Sequence, residues 1–140
     1  MLETDCSNNK FDLAIYRLNR AKEEYLAAID TLKLGYYKVA NNRAYYSIFH
    51  SMRAILALDA VDFKKHSEII AYFRQNYIKT GLFEQKFSDI IGNASEIRTA
   101  SDYDDFYIAT KEEAQTLLLN AIEFYNTVEE YISRIIGRIL

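Results

Sequence analysis

Arg43 and His50 are the two residues whose types and spacing most directly offer chemistry. A guanidinium is a permanent, planar, two-pronged positive charge that suits a phosphate. An imidazole ionises near neutrality and can take or give a proton at physiological pH. Six residues separate the two. On a helix that is nearly two turns, so both project from one side, about 10 Å apart along the axis. Ser47 lies between them on that side, and Ala54 and Ala57 follow it. The opposite side of the stretch carries Tyr45, Ile48, Phe49, Met52, Ile55 and Leu56, which reads as core.

Smaller groups of polar residues stand elsewhere in the chain. Asn42 precedes Arg43 and can orient a phosphate or bond to a neighbouring helix. Lys64-Lys65-His66 stands just ahead of an expected helix start, a place suited to phosphate; a solvated loop is the plainer role. Of Tyr45 and Tyr46, one ring is expected in the core and one at an interface. Tyrosine faces can also stack nucleic-acid bases. Arg98 and Asp102 read as an ion pair and cap at a helix end, lining the same cleft as Arg43 and His50. One cysteine and two histidines are too few for a protein-built zinc site, so no metal and no cofactor are expected. Cys6 has no partner for an internal disulfide.

These residues need helices to place them. The chain has no proline and only four glycines, a composition that leaves long helices uninterrupted. Residues 1–9 are polar and read as a flexible tail ahead of a single domain over 10–140. The first helix is expected over about Phe11–Leu34, capped by Asn8-Asn9 and stopped by Gly35. The second runs over about Tyr37–Leu58 and the third over about Glu68–Ile78. The fourth covers about Phe83–Thr99, with Gly92 inside it marking a site of close packing. An acidic, aromatic connection follows. Thr110-Lys111-Glu112-Glu113 has the form of a capping box and opens a fifth helix to about Ile136. Each helix has an apolar stripe at three- and four-residue spacing. The expected fold is all-α, an antiparallel up-and-down bundle of four to five helices.

The net charge of −3 conceals an uneven distribution. Residues 10–79 hold 12 Lys/Arg against 7 Asp/Glu, and residues 80–133 hold 3 against 11. The first half can therefore offer phosphates a basic surface, or helical surfaces have simply segregated their charge. No apolar run approaches the ~20 residues that cross a bilayer, and the N-terminus lacks a signal-peptide core. A cytoplasmic location without membrane contact is expected.

Several stretches together resemble the HEPN family of small prokaryotic helical bundles. They are Asn42-Arg43-Ala44-Tyr45-Tyr46-Ser47-Ile48-Phe49-His50 with Arg53-Ala54-Ile55-Leu56; Lys65-His66-Ser67 with Phe73 and Tyr77-Ile78-Lys79-Thr80-Gly81; Arg98-Thr99-Ala100-Ser101-Asp102-Tyr103-Asp104; and the helix opened by Thr110. The resemblance covers about residues 11–132. It implies a homodimer that works with a minimal nucleotidyltransferase antitoxin in a toxin–antitoxin or defence module. It also implies a metal-independent ribonuclease acting on RNA, transfer RNA among the candidates. The family signature is an arginine, four to six residues, then a histidine, which Arg43 and His50 fit. Asn42, Tyr46, Lys65, His66, Arg98, Asp102 and Tyr103 then become candidates for RNA or nucleotide binding.

Metal-free RNA cleavage needs a proton carrier at the sugar oxygens and fixed positive charge on the phosphorane. Two copies of the second helix crossing antiparallel would bring Arg43 of one subunit toward His50 of the other, with Ala54 and Ala57 permitting the approach. The alternative is a non-catalytic subunit that binds nucleotide, RNA or its partner protein. In many toxin-type members the motif lies in a later segment, and its counterpart here, Arg98 to Tyr103, has no histidine.

Overall fold

A computed structural model describes the backbone of residues 2–139 and the side chains of residues 9–137. The expectation for Cys6 lies outside the described side chains. Five α-helices account for the architecture: α1 Leu2–Lys33, α2 Tyr37–Leu58, α3 His66–Phe73, α4 Lys86–Tyr103 and α5 Lys111–Ile139. No strand occurs among the described residues. The all-α bundle is the expected one.

Helix α2 is the hub. It packs against α1, α3, α4 and α5, and 14 of its 22 residues are buried. A helix buried to that extent is held by neighbours on several sides rather than along one stripe. Its limits match expectation because strong signals flank it. Gly35 adopts a φ of 84°, the left-handed conformation that ends α1. The Gly35 N–H donates to Leu32 O and the Tyr36 N–H to Thr31 O, which closes the last turn as a Schellman motif. At the far end the Asp59 carboxylate accepts hydrogen bonds from the Tyr72 and Tyr77 hydroxyls at 2.9 and 2.7 Å, tying α2 to the third helical segment.

Several boundaries differ from expectation, among them the start of α4 at Lys86 rather than Phe83. Helix α1 begins at Leu2 rather than near Phe11, so Asn8-Asn9 lie inside it rather than capping it. No glycine or proline stands in that stretch to stop it. Helix α3 begins at His66 and passes into one π-turn, Arg74–Ile78. The wider turn lets both Tyr77 and Ile78 reach the core. Helix α4 runs on through Tyr103, taking in part of the expected connection. Thr110 does cap α5: its Oγ1 accepts from the Glu113 N–H at 3.1 Å. The Glu113 carboxylate does not complete the box. It accepts from the Tyr107 hydroxyl, which also lies 3.4 Å from Asn41 Nδ2 on α2.

The core away from the polar residues is aromatic. Phe73, Phe87 and Phe124 are fully buried, with ring centroids 5.5 Å apart for Phe73–Phe124 and Phe87–Phe124. Each buried ring of this size contributes roughly 1.5–3 kcal/mol by leaving water. This cluster fixes α3 and α4 against α5 and so holds the position of the side chains described next.

Candidate functional site

The side of α2 that carries Arg43 and His50 faces α1. Ser47 and Ala54 are 0% exposed and Ala57 is 2%. Ala57 lines a cavity with Leu13 and Arg17 of α1. The small residues do permit close approach, but the helix that uses it is α1 of the same chain. That seam is therefore not where a second copy meets α2.

Three of the arginines along this side meet a carboxylate. Arg43 Nη1 donates to both oxygens of Glu24 on α1, at 2.7 and 3.1 Å, and Nη2 lies 3.4 Å from Asn42 Oδ1. Arg17, 8% exposed, donates to Asp62 at 3.2 Å and to the Arg53 carbonyl at 2.9 Å. Arg53 donates to the same Asp62 oxygen at 2.8 Å. His50 lies among these arginines, partly buried, its Nδ1 without a partner among the described residues. Burial, then Arg20, Arg53, Arg17 and Arg43, push its pKa down to about 4. At pH 7 the imidazole is neutral and free to accept a proton.

Tyr46 gathers the candidate residues. Its ring centroid lies 5.5 Å from the Arg43 guanidinium carbon and 5.8 Å from that of Arg98. The His50 and His66 rings lie 6.1 and 6.0 Å from it. Spacing puts Arg43, Tyr46 and His50 together on one helix. Packing supplies the other two, from the start of α3 and from α4. His66 stacks on Phe49 at 3.9 Å, and its Nδ1 is 2.9 Å from the Tyr45 hydroxyl. Burial pushes the Tyr45 pKa up to about 12, against the pull of Arg98, so the hydroxyl keeps its proton. With that proton donated to Nδ1, His66 carries its own on Nε2. Burial, Arg98 and Arg53 lower the His66 pKa as well.

Arg98 links this cluster to a cleft between α3 and α4. Its guanidinium lies 5.1 Å from the Tyr45 centroid, and its Nε is 3.5 Å from Asp102 Oδ2, an ion pair but not a hydrogen bond. Asp102 also shares a cavity of ≈ 270 Å³ with Asn42 and Arg43. Lys65 and Tyr103 stand apart: both are exposed and neither side chain makes a hydrogen bond or ion pair among the described residues. Sequence reasoning missed Arg17, Asn41 and Arg74. Asn41 is fully buried at the start of α2, with Oδ1 unpartnered. Arg74 opens the π-turn and lines the α3–α4 cleft. Among the described residues no three His, Cys, Asp or Glu side chains are grouped to hold a metal ion. No described helix is long and apolar enough to cross a membrane.

The HEPN domain model matches residues 14–131. The chain belongs to the HEPN family. Two proteins of Methanocaldococcus jannaschii, each carrying the name "Putative toxin", are similar to it. One is 30% identical over 115 residues, which is 82% of this chain and 78% of that protein. The other is 30% identical over 116 residues, 83% of this chain and 86% of its own length. The crystal structure of an archaeal HEPN homologue covers 85% of this chain and 97% of its own, with a TM-score of 0.62 and 20% identity. That likeness shows a shared all-α fold. The Tyr46 cluster lies within the matched HEPN domain.

Proposed function

We propose that this chain is a toxin-type, metal-independent RNA endonuclease whose reaction takes place beside Tyr46. The observation that carries this reading is the convergence of two arginines and two histidines on one tyrosine ring, at 5.5–6.1 Å. Family membership and the toxin-named relatives support it.

The chemistry runs on the ribose of the substrate. Neutral His50 removes the 2′-hydroxyl proton, and the 2′-oxygen attacks the adjacent phosphorus. Arg43 and Arg98 offset the charge that grows on the non-bridging oxygens. Neutral His66 hydrogen-bonds the departing 5′-oxygen through its Nε2–H, and that oxygen takes its proton from water. The products are a 2′,3′-cyclic phosphate and a 5′-hydroxyl. A phosphate arriving among these arginines also offsets the field that lowers the His50 pKa, so the base strengthens as substrate binds. In this reading the protein works as a homodimer, paired through the edge at Arg43, Tyr46 and His50 rather than the Ala54–Ala57 seam, and a minimal nucleotidyltransferase restrains it.

Induction in a bacterial host tests the reading, with wild type beside Arg43→Ala and His50→Ala. Growth arrest and cleavage of total RNA in the presence of a chelator are expected for wild type and for neither variant. A second reading, a non-catalytic subunit that binds its partner, draws on one observation: Arg43 is already held by both Glu24 oxygens. A wild-type protein that neither arrests growth nor cleaves RNA, yet forms a stable complex with a nucleotidyltransferase, would establish the second and sink the first.

A further inference from the structure

We propose that the cleft between α3 and α4 holds one nucleotide of a single-stranded RNA, its phosphate on Arg74 and Arg98 and its base against Tyr103. The inference rests on the RNA reading above and adds a subsite to it, outside the Tyr46 cluster.

Two contiguous cavities, of ≈ 410 and ≈ 660 Å³, share Ile70, Arg74 and Ser95. Each is of the size that small-molecule sites occupy. Their chemistry differs. The smaller one is lined by His66, Ser67, Arg74 and Arg98 and by no carboxylate. The larger one is lined by Glu96, Thr99, Tyr103 and Asp104. An anion belongs in the first half. Ribose hydroxyls and the N–H donors of a base edge find acceptors in the second.

Arg74 is the residue that most needs a ligand. Its Nη2 donates to the Ser88 carbonyl at 3.0 Å, its Nε is buried without a partner, and it forms no ion pair among the described residues. The residue is only partly buried and borders the cleft, so a guanidinium without a counter-charge stands where an anion can reach it. The fold provides for it. A Cβ on Gly92 would come within 3.1 Å of Arg74 Nη2, so α4 gives up a side chain where the guanidinium lies. The π-turn that begins at Arg74 interrupts the regular helix there, a feature that recurs at functional sites.

Arg98 has a second buried Nε without a hydrogen-bond acceptor, and its guanidinium lies over Tyr45 and Tyr46. One side chain thus borders both the cleft and the reaction centre, which sets neighbouring phosphates of one strand on either side of it. At the other end of the cleft Tyr103 is 78% exposed, which leaves its ring open to stacking.

The test measures binding of a fluorescent 12-nucleotide single-stranded RNA to full-length His50→Ala protein, which binds without cutting. Tyr103→Ala, Arg74→Ala and Arg74→Lys are added to that background. Tyr103 is exposed, so its replacement leaves folding intact, and Arg74→Lys retains the charge if Arg74→Ala misfolds. Tyr103→Ala is expected to weaken binding about 5- to 150-fold, the effect of one lost stacking contact. Arg74→Ala is expected to reduce the salt dependence by about 0.7 of one unit of slope, one single-strand phosphate contact. Arg74→Lys is expected to keep the slope and lose affinity. Unchanged binding in Tyr103→Ala or in both Arg74 variants overturns the subsite, and leaves the catalytic reading standing if wild type still cleaves. Binding that depends on both residues in a protein whose wild type does not cleave supports the subsite and removes the catalytic reading.

Discussion

The two flanks of α2 treat positive charge in opposite ways. Toward α1, Arg17 and Arg53 share Asp62 at 3.2 and 2.8 Å, and Arg43 holds Glu24 at 2.7 Å. Every one of these guanidinium groups meets a carboxylate. Toward α4, Arg98 lies on two tyrosine rings with its carboxylate at 3.5 Å, and Arg74 meets only a carbonyl. The first flank is largely closed within the chain, Arg43 being the half-exposed exception beside Tyr46, whereas the second leaves its charges open to an anion from outside. Stability is therefore expected to depend on the first flank and ligand affinity on the second.

The largest effect is expected at Asp62. Replacing it by alanine leaves Arg17 buried without a counter-charge. The cost expected is about 2–3 kcal/mol in urea unfolding, below the full value for a buried pair because the Asp62 side chain is 46% exposed. Arg98→Ala, by contrast, removes stacking on Tyr45 and Tyr46 and should cost about 1 kcal/mol in the same measurement. If the Arg98 loss equals the Asp62 loss, the contrast between the flanks does not hold.

Acid provides a smaller and more specific test. The His50 pKa of about 4 in the folded protein lies below its ordinary 6.5, so the unfolded chain takes the proton first as pH falls. Stability from this group is whole above pH 6.5 and is lost progressively between 6.5 and 4. His50→Gln should flatten that part of a melting-temperature profile. Some slope will persist from His66, whose pKa is lowered in the same direction. The same shift bears on catalysis. The acid limb of kcat/KM reports the free enzyme and is expected well below pH 6.5, whereas the limb of kcat, read with substrate bound, should lie higher. Coincident limbs near 6.5 would place the working base elsewhere.

Much of this arrangement is legible from residue types. Arg43, Tyr46 and His50 fall on one face of a helix by spacing alone, and Gly35 marks where α1 must end. The convergence of His66 and Arg98 on Tyr46 is not legible, because it depends on how α3 and α4 meet α2. Arg74 escaped for a related reason. Between Phe73 and Tyr77 it reads as the solvated side of an ordinary helix, and the π-turn that reorients the segment leaves no mark in the apolar spacing. One signal pointed toward it: Gly92, inside a helix of a chain with only four glycines, marked a close approach, although the approaching group could not be named. The reading of Ala54 and Ala57 went astray because small residues announce a tight contact without saying which helix makes it.

Gly92 also has a bearing on how this sequence can drift. A glycine in mid-helix lowers stability by about 1 kcal/mol relative to alanine. An alanine at 92 would require Arg74 Nη2 to give by a few tenths of an ångström, a demand that disappears when the arginine is absent. The effects of substituting positions 74 and 92 are therefore expected to be non-additive.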